Sequence, residues 1–384
     1  DEFINQYRQK NVSCFGCPVH CFAHLNVPGA GQAAAHCINY FYYGPATQFY
    51  GQSLARDQAI ADGFVLANRY GLDTFEFWHM VNFLQDLAKA GHKEIEVELP
   101  WDKVGSREFI QTLITRIALR QGIGDLLAEG CARVADHFRD GWEIAGRYFP
   151  AYGSAAHGPL RNSPGVALLW ALDSRCAVID QHSYIRLSVS YLNEPPPYTL
   201  PFDRAQAISK RVYGSEAAID HSSFAHKPEA ILLTQNRSMV INALVVCDWI
   251  YPSLQSFAAK DRFGDTSLES QLLEAVTGLK LSEEELNRVG ERIWNVARLT
   301  MVREGRTREQ DTVHSSYFKK SPEGQNIDLE EFEKAKTRYY RLRGWDEGTG
   351  WPSWNRLKEL DLSDLADDAL KETMKPEEVV SQAL

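Results

Sequence analysis

The sequence predicts a mainly α-helical fold in two domains, on three observations. Apolar residues recur at helical spacing between clear start and stop residues over much of the chain. No β–α–β alternation, Gly-rich phosphate loop or G-x-S-x-G elbow is present. From Gly141 to Pro201 the helical patterns give way to Gly, Pro, Ser and aromatics, which places a junction near Phe149–Tyr152. The expected domains are residues 1–148 and 149–384, in keeping with a prior of roughly 150 residues per domain.

After an irregular opening, the first long helix is expected from Leu54 to Tyr70, closed by Gly71. A second runs from Thr74 to Ala90, with Phe77, Val81, Leu84 and Ala88 on one face and Gly91 as its stop. Glu94 to Leu99 reads as a short strand or loop before Pro100. Ser106 caps a third helix carrying Ile110, Leu113, Ile114 and Ile117 inward, and a fourth is expected from Asp125 to about Phe138. Beyond the loop-rich stretch, helical patterns return at Asp203–Tyr213, Pro228–Val246, Thr266–Thr277 and Ser282–Glu304. The last opens with Ser282-Glu283-Glu284-Glu285, a capping box. Trp345, Trp351 and Trp354 among glycines predict that the tail packs down.

Composition excludes several classes. An apolar share of 44% with 9 Trp, 16 Tyr and 18 Phe rules out a disordered chain. The net charge of -10 argues against nucleic acid as a partner. Apolar stretches such as Ile241–Ile250 fall far short of the roughly 20 residues that span a bilayer. The chain opens without a basic and apolar leader, so a cytoplasmic protein is expected.

Seven cysteines are too few for a disulfide scaffold, yet three fall close together in Cys14-Phe15-Gly16-Cys17-Pro18-Val19-His20-Cys21. Three thiolates at C-x2-C-x3-C spacing suit one corner of an iron–sulfur cube, with a fourth ligand from elsewhere. A zinc tetrahedron completed by a distant Cys or His is the competing reading. Among downstream cysteines, Cys247 ends a helical pattern just before a turn at Pro252, whereas Cys131, inside the fourth helix, and Cys176 are expected to pack.

The cysteine run is followed in order by Gly71-Leu72-Asp73-Thr74, by Gly124-Asp125-Leu126-Leu127-Ala128-Glu129-Gly130, by Pro150-Ala151-Tyr152, and by Gln235-Asn236 with Asn242 to Cys247. This succession resembles the aldehyde:ferredoxin oxidoreductase family of tungsten (rarely molybdenum) bis-pterin enzymes, over about two-thirds of the chain. The resemblance implies the family's two helical domains, domains 2 and 3, without its N-terminal β-rich cofactor-base domain, which the same or a separate chain would supply. It implies a [4Fe-4S] cluster on Cys14, Cys17, Cys21 and Cys247. It also implies pterin contacts from two D-x-x-G-L-[DC] segments, which here read Asn68-x-x-Gly71-Leu72-Asp73 and Asn242-x-x-Val245-Val246-Cys247. Both leading aspartates have become asparagine, an amide that accepts through oxygen and also donates.

Where the family carries an active-site glutamate, this chain has His36-Cys37-Ile38-Asn39-Tyr40-Phe41-Tyr42-Tyr43, without a carboxylate. A thiolate at Cys37 suits tungsten as a direct ligand, and His36 lies beside it. Tyr40, Phe41, Tyr42, Tyr43, Phe49 and Tyr50 are expected either to line a pocket for a flat substrate or to pack a core. The family's active-site histidine follows an arginine; after Arg175 this chain offers His182 as the proton donor. His20 and His24 stand beside the cluster cysteines.

These departures make the chain most similar to the catalytic subunits of class II benzoyl-CoA reductases. The implied activity is reduction of an aromatic acyl-CoA ring, with electrons from a ferredoxin or iron–sulfur subunit. Aldehyde oxidation is the alternative within the family. A non-enzymatic iron–sulfur or zinc module is the alternative outside it.

Overall fold

A computed structural model describes residues 2–17, 20–36, 43–95, 99–149, 163–174, 182–189, 199–247, 254–256, 258–319 and 326–366. The chain forms two compact units, residues 1–156 and 157–384, each mainly helical.

The first unit opens not irregularly but with a short helix, α1 (Glu2–Tyr7), and three antiparallel strands, β1 (Arg8–Val12), β2 (Phe22–Val27) and β3 (Gly31–His36), in that order across the sheet. Alternation explains β2: Ala23, Leu25 and Val27 are buried while His24 and Asn26 are exposed. Helices α2 (Tyr43–Tyr50), α3 (Leu54–Tyr70), α4 (Thr74–Lys89) and α5 (Arg107–Leu119) follow. Ser53 and Ser106 cap α3 and α5 by accepting from the amides of Arg56 and Phe109. Lys93–Ile95 forms a single 3-10 turn, and residues 96–98 of the expected strand or loop lie outside the described residues.

The expected fourth helix is broken in two, α6 (Gly124–Leu127) and α7 (Cys131–His137). Gly130 at φ +88 supplies the left-handed residue that ends the one and admits the other. Cys131 therefore begins α7 instead of lying mid-helix. A short α8 (Gly141–Ala145) completes the unit around a core that includes Phe64, Phe83, Phe109 and Ile114.

In the second unit the stretch read as loop holds α9 (Pro164–Leu172) and α10 (His182–Val189). All nine residues of α9 are buried, so it shows no amphipathic period. Then follow α11 (Phe202–Tyr213), α12 (Lys227–Ala243), α13 (Leu268–Thr277), α14 (Glu283–Arg303), α15 (Leu329–Arg343) and α16 (Trp354–Glu359). Helix α12 packs on α9, α14 and α15. Its close approach to α14 depends on Gly290, where a Cβ would overlap the carbonyl of Asn236. The capping box at Ser282 and Glu285 forms as expected, and Trp345 is buried while Trp351 and Trp354 pack on the cluster around Leu357 and Leu360.

Arg298 and Asp311, both without solvent exposure, form a two-point ion pair at 2.9 and 2.6 Å inside this unit. Asp311 also accepts from Arg306 and from the Tyr340 hydroxyl. No described helix is long and apolar enough to cross a membrane.

Candidate cofactor and metal site

The cysteine run is the connection between β1 and β2. Register pairs Val12 with Phe22, so the hairpin draws the two feet of this loop, with Cys14 on one and Cys21 on the other, toward each other. The Cys17 amide closes a turn onto the Cys14 carbonyl at 3.0 Å, and Gly16 at φ +71 makes that turn possible. Cys14 and Cys21 are exposed, Cys17 is half-buried, and Phe15 between them is fully exposed. His20, at φ +52, and His24 both face solvent.

The two candidate pterin segments end in the same kind of helix cap, one that α4, α5, α14, α15 and α16 share. At the end of α3, the Gly71 amide bonds the Asn68 carbonyl at 3.3 Å and the Leu72 amide bonds the Ala67 carbonyl at 2.9 Å. At the end of α12, Val245 bonds Asn242 at 3.1 Å and Val246 bonds Ile241 at 3.0 Å. Each is a Schellman cap, with Gly71 at φ +70 and Val245 at φ +57 as the left-handed residue. Asparagine thus stands in the last turn of each helix, and Asp73 and Cys247 follow at equivalent steps beyond it. Asn68, Asp73, Asn242 and Cys247 are exposed; Leu72 and Val246 are half-buried.

Sequence reasoning missed Glu76, in the first turn of α4. Its amide faces the Asp73 carboxylate at 3.4 Å, and its half-buried carboxyl meets the buried Cys131 thiol. Burial, reinforced by Asp73, pushes Glu76 up to about 7, and burial pushes the Cys131 thiol up as well. Nothing in the local pattern marks this carboxyl, because its burial is set by tertiary packing.

Cys37, Tyr40, Phe41, Tyr42, Arg175 and Cys176 lie outside the described residues. His36 ends β3, paired with Phe22, and His182 begins α10. Of the aromatic run, Tyr50 serves as an acceptor for the Arg107 amide at 3.1 Å, and Phe49 is 42% exposed.

The donors suit the implied cluster in kind: Cys14, Cys17 and Cys21 on the hairpin loop of the first unit, and Cys247 at a helix end of the second, are thiols, soft ligands for iron–sulfur chemistry. Among the described residues, no three His, Cys, Asp or Glu side chains are gathered to hold a single metal ion. A cube takes each thiolate on a different iron, so its ligands need not meet at one point.

The family profile described as aldehyde ferredoxin oxidoreductase, domains 2 & 3, matches residues 1–362. The chain belongs to the aldehyde ferredoxin oxidoreductase family. It is 27% identical over 379 residues to the tungsten-containing aldehyde ferredoxin oxidoreductase of Pyrococcus horikoshii, covering 94% of this chain and 54% of that protein. The Pyrococcus furiosus protein of the same name is 24% identical with the same coverage. This member of the family therefore spans about half the length of the curated relatives it matches. Its fold is also that of a chain in the active-site complex BamBC of benzoyl coenzyme A reductase with 1,5-dienoyl-CoA, at a TM-score of 0.71 and 19% identity, covering 97% of this chain and 56% of that one.

Proposed function

We propose that this chain forms the helical part of a tungsten–bis-pterin oxidoreductase in which a [4Fe-4S] cluster on Cys14, Cys17, Cys21 and Cys247 relays single electrons. The observation that carries this reading is the family profile's match over residues 1–362, with the C-x2-C-x3-C run set on the loop between β1 and β2. Schellman caps, a common helix end in this chain, put Asn68 and Asp73 on one segment and Asn242 and Cys247 on the other at matching steps. The second cap also leads directly into the fourth thiol, joining cluster and pterin contact on one backbone.

Residue roles follow from chemistry. Asn68 and Asn242 offer an amide oxygen and an N–H pair to pterin ring nitrogens and carbonyls, where an aspartate would only accept. The metal, tungsten or molybdenum, supplies the low-potential two-electron chemistry when bound. A β-rich cofactor-base domain, on the same or another chain, would close the other side of the pterins. The electron partner is a ferredoxin or an iron–sulfur subunit, and a cytoplasmic setting suits such carriers.

For substrate, the reading is an aromatic acyl-CoA thioester of the benzoyl-CoA kind. The ring would gain two electrons, passed through the cluster, and two protons, relayed from solvent through His182 or His36. This rests on the stretch His36 to Gly44, which holds Cys37 and no carboxylate where the family has its glutamate. Cys37 would bind tungsten through sulfur. The likeness to the benzoyl coenzyme A reductase complex is consistent with it. Oxidation of an aldehyde to its acid is the second reading, favoured by the names of the curated relatives.

Anaerobic assays of the assembled enzyme separate the two. Benzoyl-CoA converted to a dienoyl product with reduced ferredoxin supports the first; benzaldehyde oxidised with no turnover of benzoyl-CoA supports the second. X-ray absorption at the tungsten edge tests Cys37, since a shell of four pterin sulfurs alone excludes it.

A further inference from the structure

The second unit holds a cavity of about 360 Å³ between α11, α12, α13 and the first turn of α14, within the range of small-molecule sites. Its apolar wall is made by Tyr213, Leu233, Ile241, Leu254 and Leu286. Arg237 and Glu269 close another side, with Nη2 donating to both carboxylate oxygens at 2.7 and 2.8 Å. Glu269 is 4% exposed, so the arginine's charge is matched inside the wall and is not offered to a ligand.

Two features define what would fit. Among the described residues the Ser270 hydroxyl, which lines the cavity, is buried and has no hydrogen-bond partner. A buried hydroxyl left so is costly, and it implies a group that completes it. The Thr234 hydroxyl, by contrast, is already engaged by the Ala230 carbonyl and by Tyr213. The exposed carboxylates Glu283 and Glu284 also line the cavity and outnumber the exposed guanidinium of Arg211, so the rim disfavours an anion.

We infer that this cavity is a binding site for a small neutral amphipathic molecule, its apolar body against Leu233, Ile241 and Leu254 and one hydroxyl or carbonyl bonded to Ser270. The site is built wholly from the second unit and does not depend on the oxidoreductase reading. Ile241 also accepts the Val246 amide in the cap that leads to Cys247, so the cavity wall and that cap share a residue.

Titration of the full chain with 4-methylphenol and with indole, followed by calorimetry or ligand-observed NMR, tests this. Saturable binding of either probe is expected, with 4-methylbenzoate at least about tenfold weaker than 4-methylphenol. Ser270→Ala should weaken 4-methylphenol by about fivefold to tenfold, the loss of one hydrogen bond. Leu233→Trp should abolish binding by filling the space. A lack of saturable binding by both probes, equal affinity for the benzoate, or unchanged affinity in Ser270→Ala would each overturn the assignment. Should Leu233→Trp fail to fold, Ser270→Ala alone decides.

Discussion

Gly71 and Val245 hold the same position in two equivalent helix ends. Each is left-handed, at φ +70 and +57, and each is followed by an amide that bonds the carbonyl five residues back. Glycine takes this conformation freely, whereas a β-branched residue does so at a cost of roughly 1–2 kcal/mol. Val245 is also 92% exposed, so its side chain gains little burial in return.

Val245→Gly should therefore stabilise the protein by about 1 kcal/mol, once glycine's greater unfolded-state freedom is allowed for. Gly71→Val should destabilise it by a similar amount through the backbone alone, since nothing lies within 4 Å of a Cβ at that place. Denaturant midpoints measure both. A loss of stability in Val245→Gly would mean that the valine makes a contact that outweighs its strain.

Glu76 gives the fold a pH dependence of known sign. Burial first and Asp73 second lift its carboxyl to about 7, while the Cys131 thiol's hydrogen bond opposes them. Between about pH 4.5 and 7 the unfolded chain loses this proton and the folded chain keeps it. Stability contributed at this site therefore falls as pH rises through that window, by on the order of 3 kcal/mol at most. Glu76→Gln should change stability little at pH 4.5 and raise it at pH 8. Parallel stability–pH curves for the two proteins would show that Glu76 is ionised in the native state.

Asp311 holds together the buried guanidinium of Arg298, the half-buried one of Arg306 and the phenol of Tyr340. Asp311→Ala leaves those donors without their acceptor and should cost about 3–5 kcal/mol. Removing the exposed Lys334, which pairs with Glu330 and Glu331 at the surface, should leave the unfolding midpoint essentially where it was. Equal effects of the two substitutions would refute the buried network as a stabilising element.

The helices legible in the sequence were those announced by local chemistry. Gly71 stops α3, Ser106 caps α5, and Ser282 with Glu285 opens α14. Helix α9 was hidden because a segment buried on every side has no polar face to reveal its period. The strand β2 did carry the alternation of Phe22 to Val27, but six residues beside a cysteine loop are easily read as irregular. At the site, C-x2-C-x3-C spacing marks three thiols, whereas Cys247 stands far along the chain, where its place at a helix end favours it only modestly and the resemblance singles it out. That Asn68–Asp73 and Asn242–Cys247 share one backbone geometry is a property of hydrogen bonds, invisible once glycine is replaced by Val245. Glu76 owes its raised carboxyl chiefly to burial by tertiary packing, and no local pattern encodes that.

Iron and sulfide counts on anaerobically reconstituted protein, comparing the native chain with Cys247→Ser and Cys131→Ser, test the central claim most directly. The account predicts about four iron and four sulfide per chain, kept in Cys131→Ser and depleted in Cys247→Ser. One zinc without iron, or a full iron complement that survives loss of the Cys247 thiol, would contradict it.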